Sequence, residues 1–278
     1  MSTSISPSEV PIFILCGGLG TRFKEETEFR PKPMIEIGPY PILVHIMRWY
    51  AAFGFRRFVL CMGYKSAFIR DYFLNFYARN HDATVDLRTS RVTFHETEPH
   101  LDWQVTLAYT GEATMTGGRI ARAAERYLGG AEHFGVTYGD GLTSLDLGRE
   151  WEFHLSRGKI GTVLGVNPPS RFGEFRMEGD LAAAFIEKPE ISEAWINGGY
   201  FFFHRRALGY LSVEESCVLE RAPLARLAVD GELSVYRHQG FWGCMDTQRD
   251  RDALTEMWNS SQAPWDPHPA RAFRKGAS

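Results

Sequence analysis

The chain has 278 residues, 44% of them apolar, enough for a sizeable core without disulfide staples; its four cysteines, Cys16, Cys61, Cys217 and Cys244, are widely spaced, form no C-x-x-C pair and read as reduced thiols. The 31 basic and 34 acidic residues nearly cancel, so the broad positive field that holds nucleic acid or an anionic membrane is lacking and a small anionic substrate would need a local site. The first ten residues have neither the basic nor the apolar region of an export signal, and no run approaches the roughly 18 apolar residues of a membrane span, so we expect a cytoplasmic protein with no membrane and no nucleic-acid partner.

Ile12 to Leu15 is a short apolar run that ends in a glycine-rich turn, the pattern of a buried strand. From Pro41 to Phe53 the apolar residues Leu43, Ile46, Met47 and Tyr50 recur at helical spacing, and RFVLCMG follows as a second buried strand. Strand, helix and strand in this order imply a parallel pair with a crossover helix. Ser66 can cap a helix running to Arg79, and HFGVTY and IGTVLGV read as further buried strands. The expected fold is α/β: a Rossmann-like, mixed and mainly parallel sheet flanked by helices. RFGEFRMEGDLAAAFIEKP alternates and turns at Gly179-Asp180, an antiparallel hairpin that could add a small sugar-binding lobe. GYFFFHRR and MRWYAAFGF read as core. From about residue 262, SQAPWDPHPARAFRKGAS reads as a loosely held tail, leaving one domain over 1–278 with its core at about 12–265.

Gly17-Gly18-Leu19-Gly20-Thr21-Arg22 directly follows the first strand; three glycines let the backbone approach a ligand with its N–H groups turned inward, as a phosphate nest requires, and Arg22 adds a forked cation. The spacing matches neither the dinucleotide fingerprint nor the P-loop, and a purely structural glycine turn is the competing reading. Lys32 lies between Pro31 and Pro33, which exclude helix and stiffen an extended segment from which an ammonium can point at a phosphate. Asp140, in Y-G-D-G, should stand at the carboxyl end of a buried strand, where open α/β sheets bind ligands and where a metal has room between glycines. Asp246 ends another apolar stretch before a helical DRDALTEMW; it is either a second metal ligand or a helix N-cap. Spacing alone does not bring the two aspartates together. Glu187-Lys188-Pro189 and Asn197-Gly198-Gly199 supply the carboxylate, cation, amide and open backbone that a sugar phosphate needs.

Taken in order, LCGGLGTRF, RPKPM, TMTGGR, YGDG, RFGEF, EKP, INGGYFFF and FWGCMDT resemble the sugar 1-phosphate nucleotidylyltransferases. KPMIEIGPYPILVHIM, VTLAYTGEATMTGGR and GFWGCMDTQRD are most similar to the cytidylyltransferase branch that acts on glucose 1-phosphate. The resemblance implies CTP and glucose 1-phosphate as substrates, CDP-glucose and pyrophosphate as products, Mg²⁺ as cofactor, and a homo-oligomer. It implies that Leu15, Cys16, Gly17, Gly18, Leu19, Gly20, Thr21 and Arg22 hold the triphosphate, with Lys32 bridging its phosphates. Thr114, Arg119 and Gly139 would contact the nucleotide, Asp140 and Asp246 the metal, and Glu187, Lys188, Asn197 and Gly198 the sugar phosphate. Arg22, Lys32 and Asp140 would carry the catalysis. Relatives usually have alanine at Cys16 and a basic residue at Tyr40. A thymidylyl- or uridylyltransferase and a non-catalytic nucleotide-sugar-binding regulator remain alternatives on sequence alone.

Overall fold

The computed structural model describes residues 5–20, 23–95, 101–168, 174–178, 180–186 and 195–267. Seven strands form the central sheet: β1 (Pro11–Cys16), β2 (Arg57–Met62), β3 (Gln104–Tyr109), β4 (His133–Tyr138), β5 (Gly161–Val166), β6 (Ile196–His204) and β7 (Leu233–His238). Their order is β7-β5-β6-β4-β1-β2-β3, and only β6 runs antiparallel to its neighbours. The chain winds outward from β1 through β2 to β3, then returns to the other side of β1 with β4. A crevice therefore opens at the carboxyl ends of β1 and β4, where the winding reverses.

Alternate residues of the central strands feed opposite faces of the sheet, and both faces are apolar because both are covered. Ile12, Ile14, Phe58, Leu60 and Phe202 join one core with the helix Ile42–Ala52, whose Leu43, Ile46, Met47 and Tyr50 are fully buried. Phe13, Val59, Val136, Phe201 and Phe203 join the other with the helix Thr116–Tyr127. The aromatic run of β6 is thus split between the two cores. The expected hairpin is present as its own two-stranded sheet, Glu174–Glu178 against Leu181–Ile186. Among the described residues, no helix is long and apolar enough to cross a membrane.

Three expectations need correction. The stretch from Ser66 is two helices, Ser66–Leu74 and Phe76–Asn80; Ser66 lies inside the first turn, its N–H bonded to Gly63 O, and left-handed Lys65 holds the cap position. The helix breaks at Asn75, whose side-chain amide donates to Asp71 O and Oδ1 at 3.0 and 2.8 Å and so competes for the last turn. The Lys32 segment is a single 3-10 turn, Lys32–Met34, because a proline in a first turn removes an N–H that has no partner there anyway. The C-terminal segment is anchored further than its composition implies: Trp265 is fully buried, against Phe241 and His45. Tyr40 also packs within the chain, edge-on to His45 and Trp258 and beneath the Arg48 guanidinium.

Candidate active site

The turn after β1 is shaped by what lies behind it. Arg119, on the helix Thr116–Tyr127, is buried, and its guanidinium donates to the carbonyls of Gly17, Met62, Gly111 and Glu112 and to Thr110 Oγ1, at 2.6 to 3.1 Å. A Cβ at Gly17 would lie 2.2 Å from Arg119 Cζ, so only glycine lets the strand end rest on this group. One side chain thereby ties together the ends of β1, β2 and β3. Gly20 is left-handed at φ +64°, and Thr27 fastens it by donating Oγ1 to Gly20 O at 3.2 Å. Gly18 has open space before its backbone, and Leu15, Cys16, Gly17, Gly18 and Gly20 all line a pocket of about 610 Å³. Leu19 is outside this lining and exposed. Thr21 and Arg22 lie outside the described residues.

Across from this turn, Lys32 Nζ donates to Asp140 Oδ2 at 2.7 Å and to Asp246 Oδ1 at 2.6 Å, with only 8% of Lys32 exposed. Burial alone would lower the Lys32 ammonium, but the charges of and hydrogen bonds to the two aspartates outweigh it and hold it above its ordinary value. The aspartates meet through a small antiparallel sheet: Gly141–Thr143 pairs with Trp242–Cys244, placing Cys244 opposite Gly141, and Met245 N–H donates to Asp140 O at 2.9 Å. Asp246 is therefore no N-cap. Thr247 caps the helix Gln248–Asn259 with a capping box to Asp250, which also takes the Asp246 N–H at 3.0 Å.

This carboxylate pair fits a hard divalent cation. A positive group already sits between the two carboxylates at hydrogen-bond distance, and magnesium characteristically takes one or two carboxylates and completes its shell with phosphate oxygens and water. Among the described residues no cluster of three or more His, Cys, Asp or Glu could form an all-protein cage.

The remaining wall comes from several elements. Gly139 packs so closely on Leu15 O and Pro33 that a Cβ would sit 2.9 to 3.0 Å from them, while Thr114 is buried and bonded to Thr110 O. Asn197, at the entering end of antiparallel β6, stands beside the leaving end of β4 and lines the pocket. Gly198 does not line it; buried against Leu164 and Val166, it offers its carbonyl to Trp242 Nε1 at 2.8 Å. Glu187 and Lys188 lie outside the described residues. Tyr138, Thr116, Glu220, Trp242 and Cys244 also line the pocket and were not singled out from sequence. Tyr138, Thr116, Trp242 and Cys244 stand inside motifs that were, whereas nothing around Glu220 marks it.

Residues 12–237 match the family model described as nucleotidyl transferase. The chain is 42% identical over 254 residues to glucose-1-phosphate cytidylyltransferase of Salmonella typhi, covering 91% of this chain and 97% of that protein. The Salmonella typhimurium protein of the same name matches with the same identity and coverage. Among solved structures, HddC from Yersinia pseudotuberculosis superposes with a TM-score of 0.64 at 22% identity, over 90% of this chain and 99% of that one, a likeness of fold.

Proposed function

The chain belongs to the nucleotidyl transferase family, and on that premise we propose that it transfers the cytidylyl group of CTP to α-D-glucose 1-phosphate, giving CDP-glucose and pyrophosphate. A phosphate oxygen of the sugar attacks the α-phosphorus of CTP, and the bond to the β-phosphate oxygen breaks in line with it. The sugar phosphate is already ionised, so the protein positions and neutralises rather than removing a proton. The observation that carries this reading is Lys32, clamped between Asp140 and Asp246 at the crevice where β1 and β4 end.

In this reading the N–H groups of the turn from Gly17 to Gly20, with Thr21 and Arg22, hold the triphosphate. Lys32 and Arg22 stabilise charge that grows on the departing pyrophosphate. Thr114 and Gly139 border the nucleotide, and Arg119 serves it by holding the turn in place. Asn197, Gly198, Glu187 and Lys188 form the sugar phosphate side. Asp140 and Asp246 would hold Mg²⁺, which when bound offsets the repulsion between two anionic reactants. We further assign the protein to the cytoplasm, consistent with four free cysteines, and to a homo-oligomer, supported by an apolar hairpin face described below.

Pyrophosphate release from CTP and glucose 1-phosphate tests the proposal. It should require Mg²⁺, stop on adding a chelator, and resume when the metal is restored. Tight binding of CDP-glucose with no turnover under any of these conditions would overturn it.

A further inference from the structure

Tyr138, Glu220 and Thr116 are joined in a way that the reaction as described does not use. Tyr138 Oη donates to Glu220 Oε1 at 2.5 Å, and Thr116 Oγ1 donates to Glu220 Oε2 at 2.7 Å. Thr116 Oγ1 in turn accepts the Leu219 N–H at 2.9 Å, so its own hydrogen is committed to the carboxylate. Asn197 Nδ2 donates to Tyr138 Oη at 3.2 Å, and Asn197 Oδ1 accepts the Gly199 N–H at 2.8 Å. All four of Thr116, Tyr138, Asn197 and Glu220 line the pocket.

The polarity of this chain is determined by its end. An ionised carboxylate only accepts, so the Tyr138 hydroxyl must donate to Glu220 and keep its lone pairs for Asn197. That forces the Asn197 amide to turn its NH₂ toward Tyr138 and its oxygen toward Gly199 N–H, leaving the second amide hydrogen for an acceptor in the pocket. The ring itself is seated by Gly199, left-handed at φ +78°, where a Cβ would lie 2.3 Å from Tyr138 Cδ2, and it meets Phe201 edge-on at 6.0 Å. A carboxylate facing a polyanion would otherwise be repulsive. Two committed hydroxyl donors disperse its charge and give it a use.

We infer that Glu220 and Tyr138 are positioning residues that orient the Asn197 amide toward the phosphate or a hydroxyl of the sugar 1-phosphate. The inference rests on the reading of Asn197 as a sugar phosphate contact. It also links the two halves of the pocket, because Thr116 opens the helix that carries Arg119 while Asn197 is the second residue of β6.

Steady-state kinetics on Asn197→Ala, Tyr138→Phe, Glu220→Ala and the Tyr138→Phe/Asn197→Ala double variant, with thermal midpoints, test it. Each single variant should raise KM for glucose 1-phosphate about five- to twentyfold, as expected for losing one oriented hydrogen bond to a charged ligand, with KM for CTP within about twofold. The double variant should be no worse than Asn197→Ala alone, since Tyr138 acts through the amide. If Asn197→Ala raises KM while Tyr138→Phe and Glu220→Ala do not, the relay is wrong and the reading of Asn197 stands. Unchanged KM in Asn197→Ala removes that reading and the relay with it. Additive losses in the double variant, or equal rises in both KM values with a fallen midpoint, overturn the relay in favour of independent or merely structural roles.

Discussion

At the residue scale the site depends on two cations with different tasks. In the proposed function Lys32 faces the chemistry: it is buried, charged, and placed beside the carboxylates that would hold the metal. Lys32→Ala should cost about 10²- to 10³-fold in kcat/KM, the usual effect of removing one preorganised electrostatic group, with the fold retained. More than about a tenth of the activity remaining would rule out that role. Arg119 faces the backbone, and Gly17 is its test position. In Gly17→Ala the new methyl would collide with a guanidinium that bonds several main-chain carbonyls, and those bonds cannot all survive. KM for CTP should rise by about tenfold or more and the thermal midpoint should fall, both measurable on one preparation. The sequence showed Gly17, Lys32 and Asp140 as chemistry-bearing residues, because glycine clusters, flanking prolines and a strand-end aspartate are local signals. It could not show that Arg119 lies beneath Gly17, since that contact is made only when a helix packs across three strand ends.

At the element scale the decisive unit is the small sheet of Gly141–Thr143 and Trp242–Cys244. It is too short to carry a hydrophobic pattern, so the meeting of Asp140 and Asp246 was not legible, whereas the long periodic elements on either side were. The helix Ile42–Ala52 and the apolar strands were readable because burial on one stripe or on both faces leaves a repeating signature. A second element, the helix Leu147–Arg157, carries buried ionisable groups that set a pH profile. Glu150 is fully buried and, among the described residues, neither carboxylate oxygen has a hydrogen-bond partner; burial raises it to about 8. Its folded value is above its unfolded one, so its contribution is fully present below the ordinary carboxylate range and is lost as pH rises toward about 8. His154, bonded to His133 at 3.0 Å and Thr162 at 2.9 Å, is pushed down to about 3 by burial and its histidine neighbours. Its stabilisation is present above the unfolded histidine value and declines as pH falls below it. Thermal midpoints of Glu150→Gln relative to the parent should therefore improve more at pH 8 than at pH 5. An equal shift at both would mean that Glu150 is ionised in the folded protein.

At the scale of the whole molecule, one feature is unbalanced. Asp82–Asp86 and Arg91–His95 form a hairpin whose cross-strand pairs Ala83–Phe94 and Val85–Val92 share one face, with Val85 53%, Val92 48% and Phe94 37% exposed. Phe94 packs on Tyr77, and the rest of this face is open among the described residues; a two-stranded hairpin is marginal in water without further cover, and we propose a second copy of the chain as the occupant of that face. Light scattering should report an assembly, and Val85→Lys with Val92→Glu should reduce its mass; a monomeric parent would remove the proposal. The hairpin was legible in the sequence, since Asp82-Ala83-Thr84-Val85-Asp86 and Arg91-Val92-Thr93-Phe94-His95 alternate polar and apolar residues strictly, but it was not among the expected elements. The doubly wound sheet, by contrast, follows from strand and helix order, and the crevice follows from the sheet. The proposed function requires that this crevice select CTP for transfer to glucose 1-phosphate. The most direct measurement is one reaction containing glucose 1-phosphate, Mg²⁺ and equimolar CTP, UTP, dTTP, ATP and GTP, with products identified by mass. CDP-glucose should dominate from the earliest time points; a preponderance of UDP-glucose, dTDP-glucose or a purine nucleotide sugar would contradict the assignment of the base while leaving the fold and the proposed metal ligands in place.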